Sequence, residues 1–207
     1  MTDNGKNEIY EYGVHVYRAR HEKIRALKRL HSPRCHGFRV WPSSWLLMDF
    51  FERTILPKGT RVIEVGCGWG LSGIYCAKKF EATVTGADKD PEVFPYLLLH
   101  AEINRTPITT LNKGFDELTC NYLKDIDVLI GSDICFWDSM VRPLETLVGR
   151  ALDMGVKLVL ISDPGRLPFD KLGENLSKNM SGEMRSRSLH HPYSFEGKIF
   201  KIGTVPF

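Results

Sequence analysis

The chain predicts an α/β fold: a doubly wound, mostly parallel sheet of seven strands with helices on both faces and an antiparallel last strand. Three observations predict it. Short runs that are apolar throughout alternate with helix-like segments between residues 60 and 161, the pattern of parallel strands covered on both faces. The run from Arg61 to Val65 enters a glycine-rich loop that opens the next helix, as at the ligand-binding turn of a Rossmann-like sheet. The last two apolar runs are joined by too few residues for a helical crossover, so they pair antiparallel.

The elements follow in order. Val14 to Leu30 has helical composition and stops before His31-Ser32-Pro33, where proline and its neighbour disfavour continuation. Residues 1–38 read as a basic, helical N-terminal extension and 39–207 as the domain. Between Val14 and Arg39 the only acid is Glu22, so this segment is either a solvated basic face or a dock for an acidic partner. A second helix begins with Pro42 in its first turn and runs to about Thr54, its apolar face covering one edge of the sheet. Leu56-Pro57-Lys58-Gly59 turns into strand 60–65. Then come helix 71–79, strand 82–87, helix 92–104, strands 108–112 and 126–131, helix 138–154 and strand 157–161. A helix over 169–178 and strands 184–189 and 199–205 complete the chain.

The 207 residues suit one domain with an extension, and a net charge of +3 neither requires nor excludes nucleic acid. Five scattered cysteines without a C-x-x-C pair argue for a reducing compartment and against a disulfide framework or a zinc site. Met1 to Lys6 lacks the apolar core of a signal peptide, and no run approaches membrane-spanning length, so the expectation is a cytoplasmic protein with no membrane partner.

Glu64-Val65-Gly66-Cys67-Gly68-Trp69-Gly70 carries the most chemistry. Glycine tolerates positive φ and has no Cβ, so a ligand can lie against the backbone where strand becomes helix. Gly68 to Gly73 also spells the G-x-G-x-x-G of dinucleotide sites, and Asp88, at the end of the next strand, suits ribose hydroxyls in either case. Glu64 separates the readings. A carboxylate at the mouth of the loop repels a pyrophosphate, whereas S-adenosylmethionine carries an ammonium and a sulfonium that favour one.

Ligands of open α/β sheets bind beyond the carboxyl ends of the strands where strand order reverses. That rim collects Glu64 and the glycine loop, Asp88, Asn112 to Asp116, Asp133 to Trp137, and Asp163 to Arg166. Four of its stretches carry a resemblance: Val40-Trp41-Pro42, Glu64 to Gly70, Ser132-Asp133-Ile134-Cys135-Phe136-Trp137, and Asp163-Pro164-Gly165-Arg166. From about Arg39 onward the chain resembles the seven-strand class I methyltransferases. Within them it resembles the protein lysine methyltransferases that include those acting on the electron-transfer flavoprotein β subunit.

The resemblance implies S-adenosylmethionine as cofactor and a protein substrate, possibly acidic. Glu64 would face the methionine moiety, Gly66, Gly68 and Gly70 would allow close approach, and Asp88 would take both ribose hydroxyls. Cys67 and Ser132 would line the same pocket. Lys89 would pack beside the adenine; Phe115 could flank its ring or be ordinary core, and Asp116 could accept from its amine. Trp41 would lie beside the cofactor or anchor its helix in the core, and Trp69 could point away from the ligand. Asp133 would orient an acceptor amine, with Phe136 and Trp137 as its aromatic walls. Asp133 could instead cap the turn after the fourth strand.

The family pattern there is Asp-x-x-Tyr, and this chain has Phe136, which keeps the wall and removes a hydroxyl. Arg166 could meet a substrate carboxylate or pair with Asp163. His190-His191 lacks further ligands at metal spacing and reads as an exposed turn or strand. Two rival functions remain: transfer to a small molecule or RNA, and a non-catalytic cofactor-binding module.

Overall fold

The computed structural model describes residues 7–206; the expectation for Met1 to Lys6 lies outside them. Its first elements correct the sequence reading. Val14 to Leu30 is not one helix: β1 (Glu8–Glu11) and β2 (Val14–Tyr17) form an antiparallel hairpin, and α1 is only Glu22–Leu30. The two hairpin-turn residues, Tyr12 and Gly13, both have positive φ, 51° and 74°, as a two-residue turn between twisted strands demands. Val14 and Val16 are each 1% exposed while His15 between them is half-buried, which is strand periodicity in a segment whose basic composition suggested a helix. His21 Nδ1 then accepts from the Lys23 N–H at 3.3 Å and starts α1.

The hairpin is fastened to α4 (Phe94–Asn104) by side chains that imitate a neighbouring strand. Asn104 Oδ1 accepts from the His15 N–H at 2.8 Å, and its Nδ2 donates to the His15 carbonyl at 2.7 Å. One turn earlier, His100 Nε2 accepts from the Tyr17 N–H at 3.2 Å while Nδ1 bonds the Tyr96 carbonyl at 2.7 Å. Burial holds the His100 pKa down at about 4, so the ring is neutral and can serve as both donor and acceptor.

The remaining elements alternate as the sequence predicts. They are α2 (Ser43–Glu52), β3 (Arg61–Val65), α3 (Leu71–Phe80), β4 (Thr83–Asp88), α4, β5 (Thr109–Asn112) and a short α5 (Cys120–Leu123). There follow β6 (Val128–Ser132), α6 (Val141–Asp153), β7 (Leu158–Asp163), α7 (Leu167–Met180), β8 (Glu183–Leu189) and β9 (Phe195–Gly203). Sequence reasoning missed α5 and the 3-10 turn Phe115–Glu117, and it placed the last strand four residues late. The seven-stranded sheet has the order β5-β4-β3-β6-β7-β9-β8. β3 to β7 are parallel; β9 inserts between β7 and β8 and is antiparallel to both.

Alternate strand residues feed two cores. Val62, Ile130, Leu158 and Leu160 join Trp45, Leu46, Ile74 and Tyr96 under α2, α3 and α4. Ile63, Leu129, Val159 and Ile161 join Leu144, Leu147, Phe169 and Leu172 under α6 and α7. α2 therefore covers a face of the sheet rather than its edge. Strand order reverses between β3 and β6, so the two loops leaving their carboxyl ends diverge and open a crevice. Among the described residues no helix is long and apolar enough to cross a membrane.

Candidate active site

The crevice is a cavity of about 480 Å³ above the carboxyl ends of β3, β4 and β6. β3 delivers Glu64, 3% exposed, with its Oε2 accepting from the Gly73 N–H at 2.9 Å in the first turn of α3. The helix terminus favours a negative charge there, but burial dominates and pushes the pKa of Glu64 up to about 7. The loop turns through Gly66, Gly68 and Gly70, with φ of 58°, 51° and 71°. A Cβ on Gly68 would meet nothing within 4 Å, so this backbone faces open cavity rather than protein.

Asp88, at the end of β4, braces the loop from the far side. Its Oδ2 accepts from the Gly68 N–H at 3.1 Å and its Oδ1 from the Asp90 N–H at 3.0 Å, and burial raises its pKa. Each oxygen keeps a free lone pair. Trp69 is spent on packing: its ring stacks on Tyr96 with centroids 5.2 Å apart, and its Nε1 donates to the Gly37 carbonyl at 3.0 Å. Cys67 is buried, and Lys89, Asp116 and half-buried Phe115 line the cavity wall, Phe115 also packing against the α6 core.

The other end of the cavity is built on Asp133, 3% exposed and at a φ of 58°, unusual for a residue with a side chain. Its N–H donates to the Ser162 carbonyl at 2.8 Å, and its Oδ2 accepts from the Ser43 N–H at 3.2 Å, at the start of α2. Its Oδ1 lies 2.8 Å from Arg166 Nη1. The same nitrogen is 2.6 Å from Asp163 Oδ2, so of the two readings for Arg166 the internal pair is the one formed, and it extends to a second acid. Asp163 Oδ1 accepts from the Gly165 and Arg166 N–H groups, each at 2.8 Å. Ser132 Oγ lies 3.2 Å from both Ser72 Oγ and Ser162 Oγ, joining β6 to α3 and β7 by hydroxyls.

Every residue assigned from the sequence to the cofactor or to the acceptor amine lines this one cavity, with Trp41, Phe136 and Trp137 at its mouth, whereas Asn112 and Asp163 to Arg166, expected on the same rim, do not line it. Sequence reasoning missed His36 and Arg39. The His36 ring is 5.1 Å from Phe136, 6.1 Å from Trp137 and 5.7 Å from Trp41, and Trp41 Nε1 donates to the His36 carbonyl at 2.9 Å. The Arg39 guanidinium sits 3.9 Å from the centroid of Trp41. Both residues fall in the basic segment from Val14 to Arg39, His36 within the extension and Arg39 at the start of the domain, and nothing in their spacing marks them as mouth residues. His190 and His191 are exposed between β8 and β9.

A doubly wound sheet with carboxylates near the ends of β3 and β4 flanking a glycine loop, and a buried Asp133 across the crevice, is the architecture of the seven-stranded class of methyltransferases. Solved structures share the fold: the T. thermophilus 16S rRNA N2 G1207 methyltransferase superposes with a TM-score of 0.61 at 20% identity, over 83% of this chain and 45% of that one. The ribosomal protein L11 methylase of Lactobacillus delbrueckii subsp. bulgaricus does so with a TM-score of 0.56 at 18% identity, over 78% and 79%. The chain belongs to the lysine methyltransferase family, whose model matches residues 31–171. It is 31% identical over 134 residues to the histidine protein methyltransferase 1 homolog of Dictyostelium discoideum, covering 61% of this chain and 42% of that protein. It is 29% identical over 172 residues to the calmodulin-lysine N-methyltransferase of Arabidopsis thaliana, covering 78% and 54%. The chain thus spans about half the length of these curated relatives.

Proposed function

We propose that the protein transfers a methyl group from S-adenosylmethionine to a nitrogen of a protein side chain, a lysine amine. The observation that carries this reading is the convergence of Glu64, Asp88 and the glycine loop with Asp133, Phe136 and Trp137 on one cavity. The family and the protein-modifying relatives support it.

The residues present fit the cofactor. Gly68 offers open backbone, Glu64 a carboxylate for the ammonium and sulfonium, and Asp88 two lone pairs for ribose hydroxyls. Lys89, Phe115 and Asp116 form the adenine side, Cys67 and Ser132 complete the lining, and Trp41 closes the mouth. Bound S-adenosylmethionine supplies a methyl on a sulfonium, already a good leaving group, so the protein's contribution is alignment and the exclusion of water. An acceptor lysine with an ordinary pKa of ~10.4 must lose its proton before it can attack. Asp133 orients the amine, and Phe136 and Trp137 flank its stem.

Arg39, which stands over Trp41 at the mouth and has no ion-pair partner among the described residues, favours a substrate segment with acids near the acceptor. The five free cysteines favour the cytoplasm.

The test is transfer of labelled methyl into a lysate, resolved by protease and nuclease and followed by mass spectrometry. Label on one protein's lysine is expected. Label lost to nuclease overturns the acceptor class, and cofactor binding without any transfer makes the chain a binding module. In calorimetry Asp88→Ala lowers the affinity for S-adenosylhomocysteine about tenfold or more; unchanged affinity refutes the ribose assignment.

A further inference from the structure

Asp133 and Phe136 are the carboxylate and the aromatic face that would receive an acceptor ammonium, and the chain already lays a cation of its own on both. Arg166 Nη1 is 2.8 Å from Asp133 Oδ1, and its guanidinium carbon is 5.1 Å from the Phe136 centroid. Its aim is set from behind. Asp163 is fully buried, and the Arg166 side chain is the partner of its Oδ2 at 2.6 Å, so withdrawing the arginine would strand a buried carboxylate oxygen.

We propose that Arg166 is a positioning residue that fixes the charge state of the acceptor, so that Asp133 holds the nitrogen as a neutral amine and not as an ammonium. This rests on the lysine reading above. Asp133 alone would favour the charged amine and so oppose the reaction; a guanidinium on the same carboxylate weakens that preference and favours loss of the proton, leaving a neutral amine beside Asp133. The proton of the ammonium goes to solvent water. The lone pair so freed forms the N–C bond as the C–S bond breaks and its electron pair returns to sulfur, and the positive charge moves from sulfur to nitrogen. No side chain has to act as a general base.

The cluster of Asp133, Asp163 and Arg166 carries a formal charge of −1, from two carboxylates and one guanidinium. The neighbouring groups from the β6 loop, α7 and β9 are neutral or paired. Cys135 on the β6 loop is held as a thiol, burial pushing its pKa up to about 12; Asp138 beyond it pairs with Lys171, and Lys198 of β9 pairs with Asp170. Tyr193, whose pKa burial raises, lies within electrostatic reach of Asp133 and of the cations Arg18 and Arg39. Arg166 is thus the one cation in contact with Asp133 among the described residues.

The test is the pH profile of kcat, which reports ionisations in the enzyme–substrate complex. The acceptor is the lysate protein that the wild type labels, purified and used at saturation with S-adenosylmethionine. The acidic limb of the wild type is expected below that of Arg166→Gln. Arg166→Gln takes the cluster to −2 and moves that limb up by about one pH unit or more, Arg166→Lys leaves it in place, and Asp163→Asn makes the cluster neutral and moves it down. Opposite shifts from two neighbours cannot come from general damage, and S-adenosylhomocysteine affinity measured by calorimetry checks that each variant is folded. A parallel loss of rate at all pH values with an unmoved limb overturns the inference, as does a limb that Arg166→Gln and Asp163→Asn move in the same direction. Transfer with an unmoved limb removes this inference alone; absence of transfer to any protein removes the lysine reading and the inference together.

Discussion

Gly73 tests how the cofactor loop is held, because it separates two effects of opposite sign. It lies within α3 at an ordinary helical φ, so Gly73→Ala should gain about 1 kcal/mol in helix propensity. Against this, the new Cβ would stand 2.8 Å from Glu64 Oε2 and 2.9 Å from Val84 Cγ1. Neither neighbour has room to retreat, Glu64 being 3% exposed and Val84 2% exposed. Overpacking of this kind costs about 1–3 kcal/mol. At pH 6 the displaced acid is protonated, and it also loses its bond from the Gly73 N–H, worth about 0.5–1.5 kcal/mol for a neutral partner. Set against the propensity gain, the steric and hydrogen-bond terms leave an expected loss of about 0.5–3.5 kcal/mol. Because the displaced atom belongs to the acid facing the ligand, S-adenosylhomocysteine affinity should fall about tenfold as well. Urea unfolding gives the first quantity and calorimetry the second. A variant as stable as the wild type, with undiminished affinity, would show that Glu64 is not pinned against the helix as described.

Glu64 has a second consequence. Its folded-state pKa of about 7 exceeds that of an unfolded glutamate, so its contribution to stability is complete below ~4.3 and is lost as pH rises through 7. The ligand-free wild type should therefore lose ground to Glu64→Gln between pH 5 and 7.5, by on the order of 3 kcal/mol; a constant difference in urea unfolding would contradict the buried, protonated acid. A cationic ligand favours the carboxylate, so binding of S-adenosylmethionine near pH 6 should release a proton, read from the dependence of calorimetric heat on buffer ionisation enthalpy; Glu64→Gln should abolish the release. Asn104→Ala removes both side-chain bonds to His15 and should cost about 2–4 kcal/mol, with hydrogen exchange rising first in β2. Exchange unchanged there would mean that packing of Val14 and Val16 alone secures the hairpin.

The alternation of strand and helix from β3 to β7 was legible because β3, β6 and β7 are apolar on both faces and most of the breaks carry glycine or proline. The cofactor half of the site was legible for a related reason: a loop that must approach a ligand advertises itself in glycines and terminal acids. The acceptor half was only partly legible. Asp133 stands out after β6, but its pairing with Arg166 depends on β6 and β7 being neighbours, which spacing alone does not state. His36 and Arg39 reach the mouth because the Gly37 carbonyl bonds Trp69, a contact between segments far apart in the chain. The hairpin was missed because Tyr12-Gly13 is a less explicit turn signal than Asn-Gly, and basic composition outweighed a four-residue alternation.

The amide of Asn104 stands in for a peptide group along the outer edge of β2, and His100 repeats the service one helical turn away. The hairpin is therefore keyed to the rotation of α4 about its axis. A single residue inserted before His100 would turn both anchors through about 100° and leave them facing away from the strand they serve. On the other side of the hairpin His21, 3% exposed, stacks 3.7 Å from the Tyr17 ring, so the link to α1 is held as well. The hairpin is thus keyed to two helices, by rotation on α4 and by length on α1.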